Sequence, residues 1–541
     1  MPHLLKAALA QVLRVEADCI RVRIADVGGS FGIKNALAPE QALVLWAARL
    51  VGRPVAWIGD RSDGFVSDYG ARDNVTVGEL ALDAGHRFLG LRVETVANVG
   101  AYLAPKGELS PTSNTPALAG VYRLPGIAVS VTGVFTNTAP TEVFRGAGRP
   151  EAVYLLERLV DAAARDLEVA PDALRARNLI RPDELPFATR LGLTYDSGDF
   201  PGMLADALAA AAGFAERRDA ARARGRLRGF GIAQYCERVG GGWAEDAWIE
   251  LRDDGRATVL IGTMSNGQGH ETAYAQLVAS RLGLEPDGID VVQGDTDRIP
   301  SGHGTGGSAS LAIGGAALGF ASDDLIRRAL PLAADALEAA EADIVFEDGA
   351  YRIVGTDRHV GLRDVARRIG GTVLCDEGRF VPRVPTFPNG CHIAEVEIDP
   401  ETGMVELCAY RMQHDFGREL NPLLLEGQMQ GGVAQGIGQA LHEGVVYDPD
   451  SGQVLTGSLM DYCVPRAADL PPLTLRTRPT ECPSNPLGVK GCGEAGAAGA
   501  PPAVVNAVLD ALAPLGVRHI DMPVTSERVW RAIEAARGSG S

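Results

Sequence analysis

The sequence predicts an α+β fold in which mixed sheets and helices form two domains. Stretches in which apolar and polar residues alternate, as in half-buried strands, are interspersed with stretches whose apolar residues recur at helical spacing. A chain of 541 residues also exceeds what one compact core accommodates. A stretch rich in Pro, Arg and Ala, from about 180 to 228, interrupts the pattern. We therefore expect a first domain at residues 1-225 and a second domain at residues 226-541.

The first domain begins with an amphipathic helical pattern at residues 3–15, and a second helical run follows a glycine turn at 28–34. Short runs rich in β-branched and apolar residues predict strands at 19–26, 54–60, 74–84, 87–100 and 127–137. A long helix is predicted from Pro150, because proline is favoured in the first turn and apolar residues follow at helical spacing.

The second domain opens with strands at 248–252 and 257–264, joined by the hairpin sequence Asp-Asp-Gly. One glycine loop then precedes a helix near position 270, and another, at 301–319, runs into the longest helical stretch. A long hairpin turns at residues 400–403. A helix capped by Thr525 or Ser526 closes the chain.

The helical segment at 426–448 contains several glycines as well as Gln428, Gln430, Gln435 and Gln439. Each glycine in a helix interior costs about 1 kcal/mol relative to alanine. A close approach to another group is the expected compensation. That group is either a ligand or a second helix packed against this one.

Net charge and hydropathy argue against two classes of partner. The formal net charge of -18 disfavours nucleic acid and anionic membrane surfaces. No window has the apolar length of a membrane span, and the N-terminus lacks the basic region and cleavage site of a signal peptide. We therefore expect a cytoplasmic protein that binds neither nucleic acid nor a membrane.

The eight cysteines are scattered along the chain, and no two of them form a CxxC pair. This spacing disfavours a disulfide framework, a structural zinc site and an iron–sulfur cluster held by this chain.

The segment LGVKGCGEAGAAGAPPAVVN, residues 487–506, contains a single carboxylate, Glu494, among glycines and alanines. Desolvation in apolar surroundings is expected to raise the pKa of this carboxyl towards the range of a general base. Pro501 and Pro502 predict that a helix starts there. The alternative is a glycine loop with a surface glutamate.

The loop FRGAGR has two arginines, Arg145 and Arg149, just before the predicted helix at Pro150. Arg145 is expected to contact an anionic or oxo ligand, helped by the positive end of the helix. Arg149 is expected to be solvated.

Two further glycine loops, around 266–270 and 301–310, are rich in Ser, Thr and Gln but carry almost no charge apart from His270 and His303. Their backbone N–H groups suit a large polar ligand with phosphate at one end. The turn GGSFGIK is not GxGxxG, and no acidic residue follows at the ribose-binding distance. An NAD-binding dehydrogenase is therefore disfavoured.

Taken together, these loops resemble the molybdopterin-binding large subunit of the molybdenum hydroxylase family, which includes xanthine dehydrogenases, aldehyde oxidases and aerobic carbon monoxide dehydrogenases. The matching motifs occur in the family's order over nearly the whole chain: GGSFGIK, VFRGAGRPEA, NGQGHETA, TGGSASLAIGG, QMQGGVAQGIGQAL, GVKGCGEAGAAGAPPAVVNAVLDAL and MPVTSERVWRAI. The resemblance implies two elongated molybdopterin-binding domains with the cofactor between them.

The resemblance also assigns residues. Glu494 matches the family's catalytic glutamate, which would accept a proton as general base. Phe31, Arg145 and Gly307 would lie around the molybdenum, through backbone groups or side chains that do not bind it directly. Further residues would hold the pterin and its phosphate or cytosine dinucleotide extension: Gly29, Gly267, Gln268, Gly269, His270, Ser308, Ser310, Gln435 and Gly493.

Three positions depart from particular members of the family. Gly146 stands where the true carbon monoxide dehydrogenases have a cysteine, which disfavours oxidation of carbon monoxide. Asn35 and Ala147 stand where purine-oxidising members have a glutamate and a phenylalanine. We therefore expect a substrate pocket, containing Asn35 and Ala147, for an aldehyde or an aromatic N-heterocycle.

The electrons from such a reaction pass to 2Fe-2S clusters and usually FAD. Since the cysteine spacing does not support a cluster in this chain, the resemblance implies iron–sulfur and FAD partner subunits. The family's large subunit normally starts well upstream of this chain's first residue, so a separate subunit is expected to supply the missing N-terminal domain. The alternative is a truncated or orphan chain that binds cofactor or a partner subunit without turnover.

Overall fold

The structure is a computed structural model that describes residues 1–35, 37–113, 115–368 and 374–538. Its helices, labelled in chain order, are α1 (Pro2–Leu13), α2 (Pro39–Val51), α3 (Arg61–Ser67), α4 (Leu109–Ser113), α5 (Arg149–Asp166), α6 (Pro171–Asn178), α7 (Phe200–Ala210), α8 (Phe214–Ala223), α9 (His270–Leu282), α10 (Ala316–Leu337), α11 (Leu362–Arg367), α12 (Pro422–Leu441), α13 (Ala495–Leu512) and α14 (Ser526–Gly538).

The strands are β1 (Asn74–Leu82), β2 (Phe88–Gly100), β3 (Ile127–Phe135), β4 (Phe187–Ala188), β5 (Thr194–Tyr195), β6 (Leu227–Cys236), β7 (Glu245–Leu251), β8 (Ala257–Ile261), β9 (Ile289–Val292), β10 (Ile344–Glu347), β11 (Ala350–Ile353), β12 (His359–Gly361), β13 (Leu374–Phe380), β14 (Asn389–Ile398), β15 (Val405–Asp415) and β16 (Leu473–Thr477).

The sheet β1-β2-β3 lies against α5, the helix that follows the loop containing Arg145 and Arg149. β1 and β2 are antiparallel, and β2 and β3 are parallel. Burial alternates along all three strands, and the buried side chains of β2 join Leu156 and Val160 of α5 in one core. This core fixes α5, and with it the position of the arginine loop.

The sheet β16-β15-β14-β6 lies under α13, the helix that follows Glu494. Gly229 and Gly231 of β6 allow the closest approach, because a Cβ at either position would overlap backbone atoms of α13. α12 packs on α13 from another side. The N-terminal end of α13 is therefore held between a sheet and a second helix.

A third layer contains the sheet β13-β7-β8-β9 and the helices α9 and α10. A π-helical segment, Ser310–Gly315, leads into α10. The buried core joins Ile249 and Val259 in the sheet to Tyr274 of α9 and Leu325 of α10. The loops that precede α9 and the π-helical segment both open on the same side of this layer as Glu494.

Two predicted strands are absent from the part of the chain that the structure describes. Residues 19–26 form only an isolated bridge between Arg23 and Asp295, and residues 54–60 form no regular element. Trp57 and Ile58 are exposed, so the run at 54–60 has the apolar composition of a strand without a neighbouring strand among the described residues.

The helix predicted to start at Pro501 instead starts at Ala495, with Pro501 and Pro502 inside it. Small residues at its start allow tertiary packing that outweighs the cost of an interior proline. A Cβ on Gly499 would lie 2.6 Å from the ring of His392, and one on Gly496 would lie 2.7 Å from the backbone N of Val433.

One helical stretch, Ala495–Leu515, has the length and apolar composition of a membrane span, contrary to the expectation from sequence. Its most apolar window is 78% buried inside the protein. Burial of this kind is typical of the central helix of a core.

Helix packing explains two glycines of α12. A Cβ on Gly436 would lie 2.7 Å from the Cβ of Ala500, and one on Gly432 would lie 3.1 Å from the Cα of Gly496. In contrast, no heavy atom of the described residues lies within 4 Å of a Cβ built on Gly427 or Gly431. Of the two alternatives left open by the sequence, packing against a second helix accounts for Gly432 and Gly436.

Candidate active site

A cavity of about 540 Å³ lies where the glycine loops meet. Its lining includes almost every residue that the sequence assigned to a site: Gly29, Phe31, Asn35, Arg145, Ala147, Gly267, Gln268, His270, Gly307, Ser308, Ser310, Gly493 and Glu494. The loops come from both sides of position 225 and are brought together only by the tertiary fold.

Glu494 lies immediately before α13, and its carboxylate binds three groups from two other loops. Oε1 accepts a hydrogen bond from the backbone N–H of Gly146 at 2.7 Å. Oε2 accepts one from the Ser308 hydroxyl at 3.0 Å and forms an ion pair with the Arg149 guanidinium. The carboxylate is therefore held at both oxygens while its side chain stays 13% exposed to the cavity.

The pKa of Glu494 is lowered, contrary to the prediction from its apolar sequence neighbours. Burial alone would raise the pKa, as predicted. The positive charge of Arg149 and the hydrogen bonds from Gly146 and Ser308 outweigh burial and hold the pKa below its usual value. The carboxylate is therefore ionised at neutral pH.

Arg149 is buried, not solvated as the sequence suggested. Its Nη2 contacts Oε2 of Glu494, and its Nε lies 3.5 Å from Oε1 of Glu237. Because both carboxylates are themselves buried, their charges keep the pKa of Arg149 raised although desolvation opposes this. The residue lies at the cavity wall, between the carboxylates of Glu237 and Glu494.

Arg145 holds the segment before Glu494 in place. Its Nε donates to the carbonyl oxygen of Gly493 at 2.8 Å, and its Nη1 donates to Oε1 of Gln435 at 3.1 Å. Its Nη2 donates to the carbonyl oxygen of Gln428 at 3.2 Å. The Arg145 guanidinium thus joins α12 to the segment that precedes Glu494. Its Cζ also lies 5.4 Å from the ring centroid of Phe31.

Gly491 and Gly493 let the Glu494 segment approach the Ser308 loop closely. A Cβ on Gly491 would overlap the carbonyl oxygen of Ser308, and one on Gly493 would lie 3.0 Å from its Oγ. Ser308 itself has a φ of +57°, a left-handed conformation that is uncommon for a residue with a side chain. This conformation aims its hydroxyl at Glu494.

The Gln268 loop presents neutral polar groups at the start of α9. The ring nitrogens of His270 lie 3.0 Å from Nε2 of Gln268 and 3.2 Å from Nε2 of Gln293. Burial lowers the pKa of His270 to about 4, so the imidazole is neutral at physiological pH. Thr305 and Ser310 are joined at 3.0 Å through their hydroxyls nearby.

Phe31, Asn35 and Ala147 line the cavity. Phe31 and Ala147 both have positive φ, +54° and +45°, so their loops turn sharply at these positions. The carbonyl oxygen of Ala147 accepts a hydrogen bond from the Ser113 hydroxyl, which sequence analysis did not identify.

Two of the assigned residues, Gly269 and Gln435, do not line the cavity. Gly269 is the residue before α9 and has a φ of +81°, and a Cβ there would lie 2.6 Å from Leu424. Gln435 is behind the wall, where it accepts the hydrogen bond from Arg145. Both contact residues that do face the cavity.

Glu237 and Gln428 were missed by the sequence analysis. Gln428 was noticed only as one of four glutamines, although its Nε2 donates to the carbonyl oxygen of Gly493 at 3.2 Å. Glu237 directly follows the buried strand β6, and a charged residue at the end of a buried strand could have drawn attention to it.

The lining suits a large ligand bearing phosphate better than a metal ion bound directly by side chains. Gly29, Gly267 and Gly307 have positive φ and no side chain between their backbone and the cavity, and Lys106 and Arg238 add positive charge. Among the described residues, no group of three or more His, Cys, Asp or Glu could hold a metal ion. The residues described here fit a metal that is held by its own cofactor.

Comparison with known proteins agrees with this site. Two models of a molybdopterin cofactor-binding domain match the chain, one over residues 1–179 and the other over residues 206–471. Together they include every loop that lines the cavity up to Gln428.

Individual relatives match over nearly the whole chain. The chain is 34% identical over 539 residues to the 6-hydroxypseudooxynicotine dehydrogenase complex subunit gamma of Paenarthrobacter nicotinovorans, covering 96% of this chain and 68% of the relative. It is 33% identical over 565 residues to the carbon monoxide dehydrogenase large chain of Hydrogenophaga pseudoflava, covering 98% and 70%.

A solved structure extends the likeness to the fold. Quinoline 2-oxidoreductase from Pseudomonas putida 86 matches with a TM-score of 0.94 and 34% identity, over 99% of this chain and 71% of that one. The resemblance inferred from seven sequence motifs is therefore confirmed. The chain belongs to the molybdenum hydroxylase family, as a molybdopterin-binding large subunit of these oxidoreductases.

Proposed function

We propose that the cavity is the active site of a hydroxylase that oxidises an aldehyde or an aromatic N-heterocycle, with water as the oxygen source and Glu494 as general base. The observation that carries this proposal is the convergence of Gly146, Arg149 and Ser308 on the carboxylate of Glu494 at the cavity wall. A carboxylate fixed at both oxygens and ionised at neutral pH can accept a proton without rearrangement.

The molybdenum–pterin group, when bound, would take two electrons from the substrate carbon as water-derived oxygen is added to it. Phe31, Arg145 and Gly307 would surround the metal without binding it directly. Gln268, Ser308 and Ser310 would contact the pterin and its phosphate, and the backbone N–H groups of Gly29, Gly267 and Gly493 would donate to it. Gly269 and Gln435 would support these loops, with neutral His270 beside them.

Glu494 would accept one proton at its carboxylate. Its low pKa ensures that the base is ionised before the reaction starts. Arg149 and Ser308 would keep the ionised carboxylate aligned until this transfer, because each binds Oε2 directly.

The choice of substrate class rests on three positions and one relative. Gly146 offers no thiolate beside the metal site, and Asn35 and Ala147 give the pocket neither a carboxylate nor an aromatic ring. Quinoline 2-oxidoreductase, similar over 99% of this chain, is named for an aromatic N-heterocycle. These features favour a flat heterocycle or an aldehyde over carbon monoxide or a purine.

The partner subunits form part of the same proposal. Relatives named as a complex subunit and as a large chain imply that other subunits exist. We propose an iron–sulfur subunit carrying 2Fe-2S clusters and an FAD subunit as these partners, all in the cytoplasm. We also propose that the chain consists of two domains, at residues 1-225 and 226-541.

The test replaces Glu494 by glutamine in the assembled enzyme, with molybdenum and pterin content measured in parallel. Turnover of quinoline-like heterocycles and aromatic aldehydes should fall by at least about 1,000-fold, because a general base and its alignment are lost together. Cofactor content should stay that of the wild type. Turnover retained at full cofactor content would refute Glu494 as the base.

A further inference from the structure

Glu237 is a buried carboxylate outside the cavity, at the residue that follows β6. Its side chain is 0% exposed, and its backbone N–H donates to the carbonyl oxygen of Pro388 at 2.8 Å. Oε1 lies 3.5 Å from Nε of Arg149, whereas Oε2 is buried and has no hydrogen-bond partner among the described residues. Burial of a carboxylate with one unpaired oxygen is costly, so its retention at this place needs an explanation.

Arg149 lies between two carboxylates. Nη2 contacts Glu494 on the cavity side, and Nε faces Glu237 on the opposite side. With both carboxylates ionised, one guanidinium is shared by two negative charges. With Glu237 protonated, the whole positive charge acts on Glu494.

Other ionisable groups also face this cluster. Arg145 and Arg149 act on Glu237 from the arginine loop, and Tyr235 and Cys236 precede it on β6. Glu151 acts on Arg149, whereas Arg72 and Cys492 act on Arg145. Among these groups, Glu237 and Glu494 are the carboxylates that contact the Arg149 guanidinium.

We propose that Glu237 is a positioning residue, which acts through Arg149 to set the proton affinity of Glu494. The ionised carboxylate of Glu237 attracts the guanidinium and offsets its charge, so Glu494 becomes a stronger base. When Glu494 accepts a proton, its attraction for Arg149 weakens and the guanidinium pairs more strongly with Glu237. One proton moves to Glu494, Arg149 keeps its proton, and no electrons move within the cluster.

The charge of Glu237 changes near neutrality. Burial raises its pKa to about 7, although the neighbouring Arg149 opposes the shift. Above this pKa Glu237 is ionised and Glu494 is the stronger base. Below it Glu237 is protonated, Arg149 acts on Glu494 alone, and Glu494 is the weaker base. The rate of the chemical step should therefore rise as pH increases through about 7.

The inference rests on the proposed function of Glu494, and its test uses the assembled enzyme. The variants are Glu237→Gln, which removes the charge and keeps the shape, Glu237→Asp, which restores a carboxylate, and Glu245→Gln as a matched control. Glu245 is likewise buried, with an unpaired Oε1 and a pKa raised by burial to about 8, and it lies outside the cluster. The measurements are kcat and KM between about pH 5 and 9.

In the wild type and in Glu245→Gln, kcat should rise through an ionisation near pH 7. In Glu237→Gln this ionisation should disappear, and kcat at alkaline pH should fall roughly tenfold, equivalent to one pKa unit in the basicity of Glu494, with KM unchanged. Glu237→Asp should restore the ionisation, at a shifted pH. An unchanged pH profile in Glu237→Gln, or loss of the ionisation in Glu245→Gln, would overturn the inference.

Infrared titration of the carboxyl groups supplies a readout that does not depend on turnover. Glu237→Gln should lose a protonated-carboxyl signal that titrates near pH 7 and keep that of Glu245, near pH 8. Glu245→Gln should keep the first signal and lose the second, so the two variants should differ. The same signal in both variants would contradict the assignment. The Glu494→Gln variant separates the two proposals: if it stays active the proposed function fails, whereas an unchanged pH profile in Glu237→Gln defeats only the role of Glu237.

Discussion

Arg145 and Arg149 lie four positions apart in one loop, yet they make different contacts with the Glu494 segment. Arg145 binds the backbone of Gly493 together with two groups of α12, whereas Arg149 binds the Glu494 carboxylate itself. The first arginine fixes where the chain lies, and the second sets the charge state of the carboxyl.

Replacing Arg145 by lysine tests the first of these contacts. A single ammonium cannot reach Gly493, Gln435 and Gln428 in the fixed geometry of a guanidinium. We expect the free energy of unfolding to fall by about 1–3 kcal/mol and kcat to fall by at least about tenfold.

Arg256→Lys is the control, because Arg256 is exposed and contacts Asp290 at the surface. It should change the stability by less than about 0.5 kcal/mol, as measured by chemical denaturation. Equal effects of the two substitutions would contradict the bridging contact of Arg145.

Sequence reasoning at this scale found the residues but not their electrostatics. The low pKa of Glu494 comes from Arg149, which is 345 positions away, and from Ser308, which is 186 positions away. The neighbours in sequence are apolar, and on their own they predicted the opposite direction. The motif therefore identified the carboxylate, while its charge state depends on contacts that only the fold creates.

At the scale of elements, strand composition and strand pairing must be distinguished. Residues 74–82 and 88–100 form strands because each has a neighbour, whereas the apolar residues 54–60 have none and remain irregular. The order β16-β15-β14-β6, in which β6 pairs with a strand more than 150 positions later, has no local signal. Helix positions were predicted more closely, since their apolar spacing is local.

The glycines of α12 give a prediction with a built-in control. Gly436→Ala should lower the free energy of unfolding by about 1–3 kcal/mol, because the new methyl group would lie 2.7 Å from the Cβ of Ala500 and must push α12 away from α13. Gly431 lies on the same helix and faces open space among the described residues. Gly431→Ala should therefore raise the free energy of unfolding by up to about 1 kcal/mol. The free energies of unfolding of both variants are compared by denaturant unfolding. Destabilisation of similar size in both would contradict the close packing of α12 on α13 at Gly436.

Glu395 of β14 forms ion pairs with three arginines, and these pairs should make the stability of the protein depend on pH. Burial alone would raise its pKa, but hydrogen bonds from Arg217, Arg228 and Arg411 lower it to about 2. A carboxyl whose pKa is lower in the folded state stabilises the protein above its unfolded pKa, and this stabilisation disappears as pH falls towards the folded value. We therefore expect stability to fall from about pH 4.5 down to about 2.

Glu395→Gln should lower the free energy of unfolding by about 3 kcal/mol at neutral pH. It should also weaken the dependence of this free energy on pH in the acid range. Glu534→Gln, at an exposed pair with Arg537, should change stability by less than about 1 kcal/mol. The test is to measure the free energy of unfolding of both variants across the acid range. If its pH dependence is unchanged in Glu395→Gln, the ion pairs of Glu395 with the three arginines are not the origin of that dependence.

At the scale of the whole molecule, the cavity depends on three separately packed layers. The sheet with α5 holds the arginine loop, the sheet under α13 holds Glu494, and the third layer holds the Gln268 and Ser308 loops. A cofactor that contacts all three would join loops that are hundreds of positions apart in sequence. Its binding should therefore stabilise the molecule as a unit.

The proposed function requires that this cavity binds a molybdenum–pterin group. The most direct test is elemental and pterin analysis of the full chain, purified from a host that supplies the cofactor together with whatever subunits co-purify. Molybdenum and pterin should be equimolar with the chain, and both should be lost when Gly491→Ala separates the Glu494 segment from Ser308. A related large subunit that contains its full molybdenum and pterin in the same host is the control. A folded chain without molybdenum or pterin from those cells would show that the cavity does not bind this cofactor.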